Sequence, residues 1–371
     1  MSRRHKIAMI GHKRIPGREG GVEVVVEELS VRMAKLGIEV EAYNRRDKWF
    51  EPQQREYCGV RIIQIPTFKT SALNAFVYSV LATLRALFGR YGCIHYHAEG
   101  PCAMLWLPKL FGIRIVATIH GLDWQRAKWG GFSTKYLKLG ERVAARFADE
   151  LIVLSENNRL YFKQNYGREA KFIPNGICMK ERDFLPQIIK ERFVLERDGY
   201  ILFLARLVPE KGLHYLIEAY KKIDTSKKLV IAGSLSGGGD YVNEIKASAA
   251  GDERIIFTDF VSGGLMDELF DNCLVYVLPS DIEGMAMTLL EALSYGKLCL
   301  VSDIPENLEV VQGKMPSFRH GDAESLRQEL IKVLSGDYDS CRGRERCREI
   351  LKPFNWDEIV KRTVSLYNLD D

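Results

Sequence analysis

The sequence predicts an α/β protein made of two Rossmann-like domains whose parallel sheets face each other across a cleft. Short apolar runs of β-strand length alternate with amphipathic helical segments along the whole chain. Strands that alternate with helices of this length form parallel sheets covered on both faces. With 371 residues, the chain also exceeds what one hydrophobic core usually supports, so two domains are expected.

The individual elements follow in chain order. In the first half, seven apolar runs have the length and composition of strands: KIAMIG, IEVEAY, RIIQIP, CIHYH, IRIVATIH, ELIVLS and KFIPN. The helical segment VEVVVEELSVRMAKLG ends at Gly37, a residue type typical of a helix C-terminus. The second half repeats the strands with YILFLARL, KLVIAG, RIIFTDF, LVYVLPS and LCLVSD. The helical segments between them are KGLHYLIEAYKKI, GLMDELFDN, AMTLLEALSYG and AESLRQELIKVL.

A charged segment over 181–199 (ERDFLPQIIKERFVLERDG) has no clear strand and is predicted to link the two domains. We therefore expect a first domain over 1–180, a second over 200–353, and a C-terminal helix within 354–371 that crosses back to the first domain. Ligands of open α/β sheets bind at the carboxyl ends of the strands. The predicted binding site is therefore the cleft between the domains.

Charge is distributed unevenly along the chain. Residues 1–180 contain 29 Lys and Arg against 16 Asp and Glu, a net charge of +13, and the remaining 24 basic and 33 acidic residues give −9. A strongly basic first half predicts an anionic partner for that half.

Several features predict a cytoplasmic protein. The start MSRRHKIAMIG leads directly into a strand pattern without the apolar region and cleavage site of a signal peptide. The most apolar long stretch, Leu73–Phe88, has only 16 residues and contains Asn74 and Arg85, so it is too short and too polar to span a bilayer. The eight cysteines form no C-x-x-C pair, which favours reduced thiols over disulfides or a zinc site.

The stretch RIPGREGGVEVVVEEL follows the first strand and has the outline of a strand, a glycine-bearing loop and a helix. Its glycines do not have the G-x-G-x-x-G spacing of a dinucleotide fingerprint, and the second strand ends at Asn44 followed by Arg45 instead of an acidic residue. The pattern instead indicates that Gly20 and Gly21 let the backbone approach an anion at a helix N-terminus.

The second half contains a diphosphate-binding pattern in LARLVPEKG. Arg206 follows a strand, and Lys211 lies where the next helix begins. Two cations beside the free N–H groups of a helix start form a suitable diphosphate site. Taken alone, the pair is also compatible with two solvated surface charges.

A second pattern, SDIEGMAMTLLEA, places Glu283 and Glu291 eight residues apart. With a helix that starts near Ala286, both carboxylates can face the same ligand, and the N–H groups of Gly284, Met285 and Ala286 point out of the helix start. Carboxylates accept hydrogen bonds from sugar hydroxyls, and the N–H groups attract an anion. A nucleotide sugar carries both kinds of group.

These patterns, together with the strand end FIPNG, resemble those of a family 4 retaining glycosyltransferase of the GT-B fold, and the resemblance covers nearly the whole chain. The stretches GHKRIPGREGGVEVVVEEL and HGLDWQRAKWG resemble a subgroup that includes bacterial rhamnosyltransferases of surface polysaccharide assembly. The resemblance implies transfer of a sugar from a dTDP- or UDP-linked donor, such as dTDP-rhamnose, to a glycan or a lipid-diphosphate-linked saccharide, without a cofactor. Ala286 stands where many relatives have glycine, which affects the sugar pocket and hence the donor identity.

The resemblance also implies roles for the donor residues. Arg206 and Lys211 hold the donor diphosphate, Glu283 binds the donor sugar, and Glu291 binds the ribose. The loop with Gly20 and Gly21 closes over the donor phosphates and the acceptor.

Two further residues are implied near the reacting centre. His120 ends the strand IRIVATIH and is expected beside the donor sugar, and Asp123 lies in the same loop. The sequence names no convincing nucleophile, so a front-side departure, in which the leaving phosphate helps deprotonate the acceptor, is implied by analogy with the family.

No metal site is predicted. His95 and His97 alternate on one strand and Glu99 follows, but without a further ligand they favour a structural or acceptor-side role. The D-x-D pattern that could hold a metal on a diphosphate occurs internally only at Asp337 and Asp339, in a turn-like segment that is typical of a surface. Neutralisation of the leaving diphosphate is therefore assigned to the two cations and the helix N-termini.

An anionic membrane surface is the remaining predicted partner, and no nucleic acid is expected. The basic first half and the apolar stretch Leu73–Phe88, with Arg85 inside it and Lys69 and Arg90 on either side, predict peripheral association with the inner face of the plasma membrane. The same stretch is equally compatible with an ordinary core helix of the first domain.

Two alternative functions stay open from the sequence. A nucleotide-sugar epimerase of the same architecture would use the same diphosphate site without a second substrate. A non-catalytic two-domain protein would only close on its ligand.

Overall fold

The computed structural model describes residues 5–17, 20–46, 55–67, 71–125, 131–181, 183–234 and 239–369. The chain divides into two compact units. The first unit comprises Met1–Gly176 and Asn355–Asp371, and the second unit comprises Ile177–Phe354. Among the described residues, no helix has the length and apolar character needed to cross a bilayer.

The first unit is built on an eight-stranded sheet. Its strands are β1 (Lys6–Ile10), β2 (Glu39–Arg46), β3 (Glu56–Tyr57), β4 (Val60–Pro66), β5 (Cys93–His97), β6 (Arg114–Ile119), β7 (Glu150–Val153) and β8 (Lys171–Phe172). Their order is β3-β4-β2-β1-β5-β6-β7-β8, and every pair is parallel except β3 with β4. Strand β1 therefore has β2 on one side and β5 on the other, which is the position where the strand order reverses and where open α/β sheets bind ligands.

Helices cover both faces of this sheet. They are α1 (Gly21–Lys35), α2 (Ser71–Leu87), α3 (Glu99–Cys102), α4 (Trp106–Leu110), α5 (Gly131–Phe147), α6 (Glu156–Tyr166) and a C-terminal helix (Trp356–Ser365). The C-terminal helix packs against α1, and its N-terminus is capped by Asn355, whose side chain accepts hydrogen bonds from the N–H groups of Asp357 and Glu358. Gly176 is required beside it, because a Cβ there would lie 2.3 Å from the Trp356 ring.

The second unit contains a six-stranded, fully parallel sheet in the order β11-β10-β9-β12-β13-β14. Its strands are β9 (Tyr200–Leu204), β10 (Lys228–Ala232), β11 (Ile255–Asp259), β12 (Val275–Leu278), β13 (Cys299–Ser302) and β14 (Ser317–Phe318). Its helices are α7 (Ile188–Phe193), α8 (Leu213–Lys221), α9 (Gly239–Ala249), α10 (Gly264–Asn272), α11 (Met287–Ser294), α12 (Pro305–Val311), α13 (Ala323–Ser335) and α14 (Arg344–Leu351). The central strands are buried along their length, as their uninterrupted apolar sequences require.

The predicted two-domain α/β fold with parallel sheets is confirmed. The structure adds β3 and β14, which have two residues each and therefore no readable periodicity. The segment 181–199, interpreted above as a linker, contains α7 and packs on the second unit. Its Ile189 is fully buried, and the Ile189 N–H donates to the Glu268 carboxylate of α10 at 3.0 Å.

Candidate functional site

A tight junction between β9 and α8 positions Lys211 in the second unit. Pro209–Lys211 forms a 3₁₀ turn, and Gly212 follows with φ +66° in the left-handed region. A Cβ at Gly212 would lie 1.9 Å from the carbonyl oxygen of Pro279. Only glycine therefore lets this turn approach the loop that follows β12.

Lys211 and Glu283 form an ion pair across this contact. The Lys211 ammonium donates a short hydrogen bond to Glu283 Oε1, and both side chains are largely buried. The Ser280 hydroxyl donates to the same oxygen at 2.7 Å. Two donors thus orient the Glu283 carboxylate before any ligand arrives.

The helix that follows Glu283 begins without a side-chain cap. Ala286 is the N-cap residue of α11, with an extended backbone and no side-chain hydrogen bond to the first turn. Gly284, Met285 and Ala286 are all buried. The N-cap side chain therefore gives the first N–H groups of α11 no hydrogen bond, and this helix start follows Glu283 closely in the chain. Glu291 is half-buried on the same helix.

Arg206 lies just beyond the end of β9 and is exposed. Its backbone carbonyl accepts a hydrogen bond from the Val208 N–H at 3.0 Å. The structure thus brings Lys211 and Glu283 into direct contact at the start of α11, whereas Arg206 occupies the outer part of the same strand–helix junction.

Polar contacts hold the loop between β12 and α11 against its neighbours. The Asp281 N–H donates to the carbonyl oxygen of Glu210 at 3.0 Å, and the Ser302 hydroxyl donates to the carbonyl oxygen of Ser280. Asn307 donates to the Ser302 hydroxyl at 3.0 Å. Sequence reasoning missed Ser280, although its position three residues before Glu283 placed it in the same loop.

In the first unit, His120 follows β6 and contacts His97 at the end of β5. Nε2 of His120 and Nδ1 of His97 are 3.0 Å apart, and both rings are buried. Burial, followed by the neighbouring imidazoles, lowers the pKa of His97 well below its usual range. His97 is therefore neutral near pH 7 and fixes the orientation of the His120 ring.

His95 has a structural environment. Its Nδ1 lies 2.8 Å from the Tyr367 hydroxyl, and its Nε2 lies 2.7 Å from the Thr118 hydroxyl. Burial lowers the pKa of His95 to about 3, so the ring stays neutral. Within the described part of the chain, no group of three or more His, Cys, Asp or Glu side chains could hold a metal ion.

Asp123 lies in a 3₁₀ turn, Asp123–Gln125, that is bound to the buried Glu141. The Trp124 indole and the Tyr161 hydroxyl each donate to the Glu141 carboxylate at 2.8 Å. Glu99 is also fully buried here, and burial, with the nearby charges of Asp123 and Glu141, raises the pKa of Glu99 to about 10. Glu99 is therefore a neutral carboxylic acid at physiological pH.

The Gly20–Gly21 pair lies at the start of α1. Gly20 is the N-cap residue with an extended backbone at φ −166°, which any residue can adopt. A Cβ at Gly20 would lie 2.7 Å from Oε2 of Glu23, whose Oε1 accepts a hydrogen bond from the Lys13 N–H at 3.0 Å. A side chain at this position would require a shift of the end of the Glu23 side chain, and sequence reasoning missed Glu23.

His12 is a second residue that sequence reasoning missed. It directly follows β1 and Gly11, is fully buried, and its Nε2 lies 2.9 Å from Asn44 Oδ1. Burial lowers the pKa of His12 to about 4. Its position at a strand end was a usable signal, because the same criterion had identified His120.

Comparison with known proteins identifies the class. Residues 19–181 match the family model described as Glycosyltransferase Family 4, and residues 186–352 match the model described as Glycosyl transferases group 1. The chain is a glycosyltransferase that combines these two domains, as GT-B glycosyltransferases do.

Individual relatives agree with this assignment. The chain is 28% identical to the UDP-Gal:alpha-D-GlcNAc-diphosphoundecaprenol alpha-1,3-galactosyltransferase of Escherichia coli, with 84% of each chain covered. Its fold is similar to that of sucrose-phosphate synthase from Thermosynechococcus elongatus, with a TM-score of 0.84 at 20% identity over 98% of both chains. It is also similar to that of Anabaena HepE in complex with UDP, with a TM-score of 0.77 at 17% identity over 97% of this chain and 98% of the other.

Proposed function

We propose that the protein transfers a sugar, with retention of anomeric configuration, from a dTDP- or UDP-linked donor to a lipid-diphosphate-linked saccharide during surface polysaccharide synthesis. The observation that carries this proposal is the contact between Lys211 and Glu283 at the uncapped start of α11. This element presents a cation, a carboxylate and the N–H groups of a helix start together, and these are the groups needed to bind a sugar diphosphate.

Each residue of the element has a separate task. Lys211 and Arg206 bind the diphosphate and stabilise the charge that develops as it leaves. Glu283 accepts hydrogen bonds from the donor sugar, and Glu291 accepts them from the ribose. Because cations and helix N–H groups neutralise the charge of the leaving diphosphate, transfer does not require a divalent metal. The resemblance to rhamnosyltransferases makes dTDP-rhamnose one of the donors to test.

In the first unit, His120 and Asp123 act beside the reacting sugar, and the Gly20–Gly21 loop contacts the donor phosphates and the acceptor. The neutral His97 holds His120 in one orientation. The leaving phosphate takes the acceptor proton in a front-side reaction. The Escherichia coli relative, by its name, uses UDP-Gal and a diphosphoundecaprenol-linked sugar. This supports a lipid-linked acceptor.

An exposed apolar surface of the first unit supports membrane association at the inner face of the plasma membrane. Phe88 just after α2 is 86% exposed, and Leu110 and Phe111 at the end of α4 are 73% and 67% exposed. The opposite face of α2, including Tyr78 and Ala82, is fully buried in the core. Helix α2 is therefore both a core helix and a contributor to this exposed surface.

The donor is tested by a thermal-shift screen with UDP, dTDP, GDP and ADP, and then with the corresponding nucleotide sugars. Transfer rates are measured separately, with and without excess EDTA. We expect stabilisation by UDP or dTDP and transfer rates that EDTA leaves nearly unchanged. Absence of stabilisation by every nucleoside diphosphate would contradict the donor site. A loss of transfer in EDTA that magnesium or manganese restores would contradict metal independence.

A further inference from the structure

We propose that the carboxyl ends of β1 and β2 form an acceptor subsite, in which the Arg45 guanidinium binds an anionic group and His12 Nδ1 accepts a hydrogen bond from a neighbouring hydroxyl. The proposal rests on the proposed glycosyl transfer and adds the residues of the first unit that recognise the acceptor's anionic group and a neighbouring hydroxyl. The ligand would be a saccharide that carries a phosphate or a carboxylate close to its sugar ring.

Arg45 is a largely buried cation without an ion pair among the described residues. Its guanidinium makes two long hydrogen bonds, both of 3.5 Å, to the Asn74 side chain and to the Gly11 carbonyl oxygen. One face of the guanidinium lies 4.7 Å from the centre of the Tyr78 ring. Burial lowers the pKa of Arg45, so holding this cation out of water is costly. A bound anion would offset that cost.

His12 offers the complementary group for a hydroxyl. Asn44 is oriented by its Nδ2, which donates to the Ile15 carbonyl oxygen, and by its Oδ1, which accepts from the Ile15 N–H. The same Oδ1 lies 2.9 Å from His12 Nε2, so Nε2 must carry the proton. In the neutral ring Nδ1 is then unprotonated, and it is buried without a hydrogen-bond partner among the described residues. A lone pair in this position accepts from an O–H and repels a bare anion.

The two groups are neighbours. The Arg45 backbone N–H donates to the Lys13 carbonyl oxygen at 2.7 Å, and the Arg45 guanidinium reaches the Gly11 carbonyl oxygen, so Arg45 contacts the backbone on both sides of His12. The charge of Arg45 also depresses the pKa of His12, although less than burial does. Glu23 is the carboxylate whose charge acts on both residues, and it is a further acceptor for sugar hydroxyls.

The position of these groups agrees with the sheet topology. His12 follows β1, Arg45 belongs to β2, and His97 ends β5 on the other side of β1. Nε2 of His97 is also buried with no partner in the described part of the chain, and its Nδ1 contacts His120. The proposed subsite is therefore at the switch point of the first sheet and extends towards the histidine assigned to the reacting centre.

The test measures anion binding in a protein whose donor site has been disabled by Arg206→Ala and Lys211→Ala. Inorganic pyrophosphate and glucuronate are titrated by calorimetry, and the tighter ligand tells whether the subsite takes a phosphate or a carboxylate. Adding Arg45→Ala should weaken binding by roughly 10-fold or more. Adding Arg46→Ala, the exposed neighbour on the same strand, should leave it unchanged.

Two outcomes would overturn the proposal: no anion binding once the donor site is disabled, or equal affinity with and without Arg45. If Arg45→Ala does not fold, Arg45→Lys preserves the charge and should still weaken binding, because the two-pronged guanidinium contact is lost. Glucose 1-phosphate should shift the nitrogen-15 resonance of His12 Nδ1, whereas pyrophosphate should not. A failure of UDP to bind the unmodified protein would instead contradict the proposed function. The comparison of anion binding with and without Arg45 does not depend on that result.

Discussion

Lys211 and Ser280 both donate hydrogen bonds to Glu283, and these contacts affect how the residues of the proposed donor site divide their tasks. The carboxylate partly neutralises the cation that is proposed to bind the diphosphate. Donor binding must then share Lys211 between Glu283 and a phosphate oxygen. Each partner can be removed separately, so the two roles can be measured separately.

We expect Lys211→Ala to weaken UDP binding by roughly 10- to 100-fold, the value of a charge-assisted hydrogen bond. Glu283→Gln should leave UDP binding unchanged or slightly stronger and reduce turnover strongly, because its partner is the donor sugar. Isothermal titration and initial rates measure the two effects. The exposed pair Lys222 and Glu218 provides matched controls, Lys222→Ala and Glu218→Gln, which should change neither quantity. Loss of UDP binding in Glu283→Gln with intact turnover would reverse the assignment.

The buried acid Glu99 predicts a dependence of stability on pH. Because its pKa is raised to about 10 in the folded protein, it stays protonated where an unfolded glutamate, with a pKa of about 4.3, has ionised. Unfolding therefore releases a proton between these two values, and the stability due to this group falls as the pH rises through that window. Glu99→Gln has no such proton to release.

We expect the free energy of unfolding of Glu99→Gln to fall less steeply than that of the unmodified protein between about pH 5 and pH 9. Urea denaturation at several pH values provides the measurement. Glu253→Gln, at an exposed glutamate, should follow the unmodified protein. Parallel curves for Glu99→Gln and the unmodified protein would show that Glu99 is ionised in the native state.

At the scale of single residues, spacing along the chain identified Lys211, Glu283 and His120 as candidates, because each stands at a strand or helix end. The same reasoning did not reveal that Glu283 contacts Lys211 or that His97 contacts His120. These contacts join residues 72 and 23 positions apart. They depend on which strands become neighbours in the sheet, which local patterns do not specify.

At the scale of elements, the junction between β9 and α8 carries the proposed donor site. Gly212 has φ +66° and faces the Pro279 carbonyl oxygen, so two independent constraints require glycine there. Gly313 has a similar φ of +67°, but no atom of the described residues lies within 4 Å of the place that a Cβ would take. The two glycines therefore separate the cost of the backbone conformation from the cost of the steric overlap.

We expect Gly313→Ala to cost about 1–2 kcal/mol of unfolding free energy through its left-handed backbone. Gly212→Ala should cost a further ~1–3 kcal/mol through overlap with Pro279, and it should also weaken UDP binding by displacing Lys211. Urea denaturation and UDP titration of both variants test this. Equal stability losses for the two variants would mean that the close approach of the turn to Pro279 is not required.

Most elements could be predicted because the parallel strands are buried along continuous apolar runs and are followed by helices. The two-residue strands β3 and β14 could not, since β14 is defined only by its pairing with β13. The helix within 181–199 was not predicted for a related reason. The many charged residues of this segment obscure the apolar pattern to which Ile189 belongs. Ile189 is buried against α10, and the segment therefore packs on the second unit.

At the scale of the whole molecule, two features predict association with a membrane surface. They are the net charge of +13 over residues 1–180 and the exposed apolar side chains at the ends of α2 and α4. A basic side chain near an anionic bilayer contributes roughly 1 kcal/mol, and salt screens that contribution. Inserted apolar side chains add a share that salt does not remove.

We therefore expect binding to anionic liposomes that falls steeply with salt. Arg85→Glu with Arg90→Glu should weaken the salt-sensitive part, and Leu110→Ser with Phe111→Ser should weaken the remainder. Lys69, the third predicted basic residue, lies outside the described residues. Liposome sedimentation measures binding, and Leu185→Ser, at an exposed apolar residue of the second unit, serves as the control. No association at low salt would contradict a membrane role.

The proposed activity is the transfer of a sugar from a nucleotide donor to a separate acceptor. The most direct measurement follows nucleoside diphosphate release and acceptor mass together, with dTDP-rhamnose and UDP-sugars as donors and a saccharide on a short alkyl diphosphate as acceptor. We predict equal amounts of released nucleoside diphosphate and extended acceptor, retention of the donor's anomeric configuration, and loss of both signals in Glu283→Gln. Conversion of the donor into an isomeric nucleotide sugar without an acceptor, or stoichiometric binding of the donor with no release of nucleoside diphosphate, would contradict glycosyl transfer.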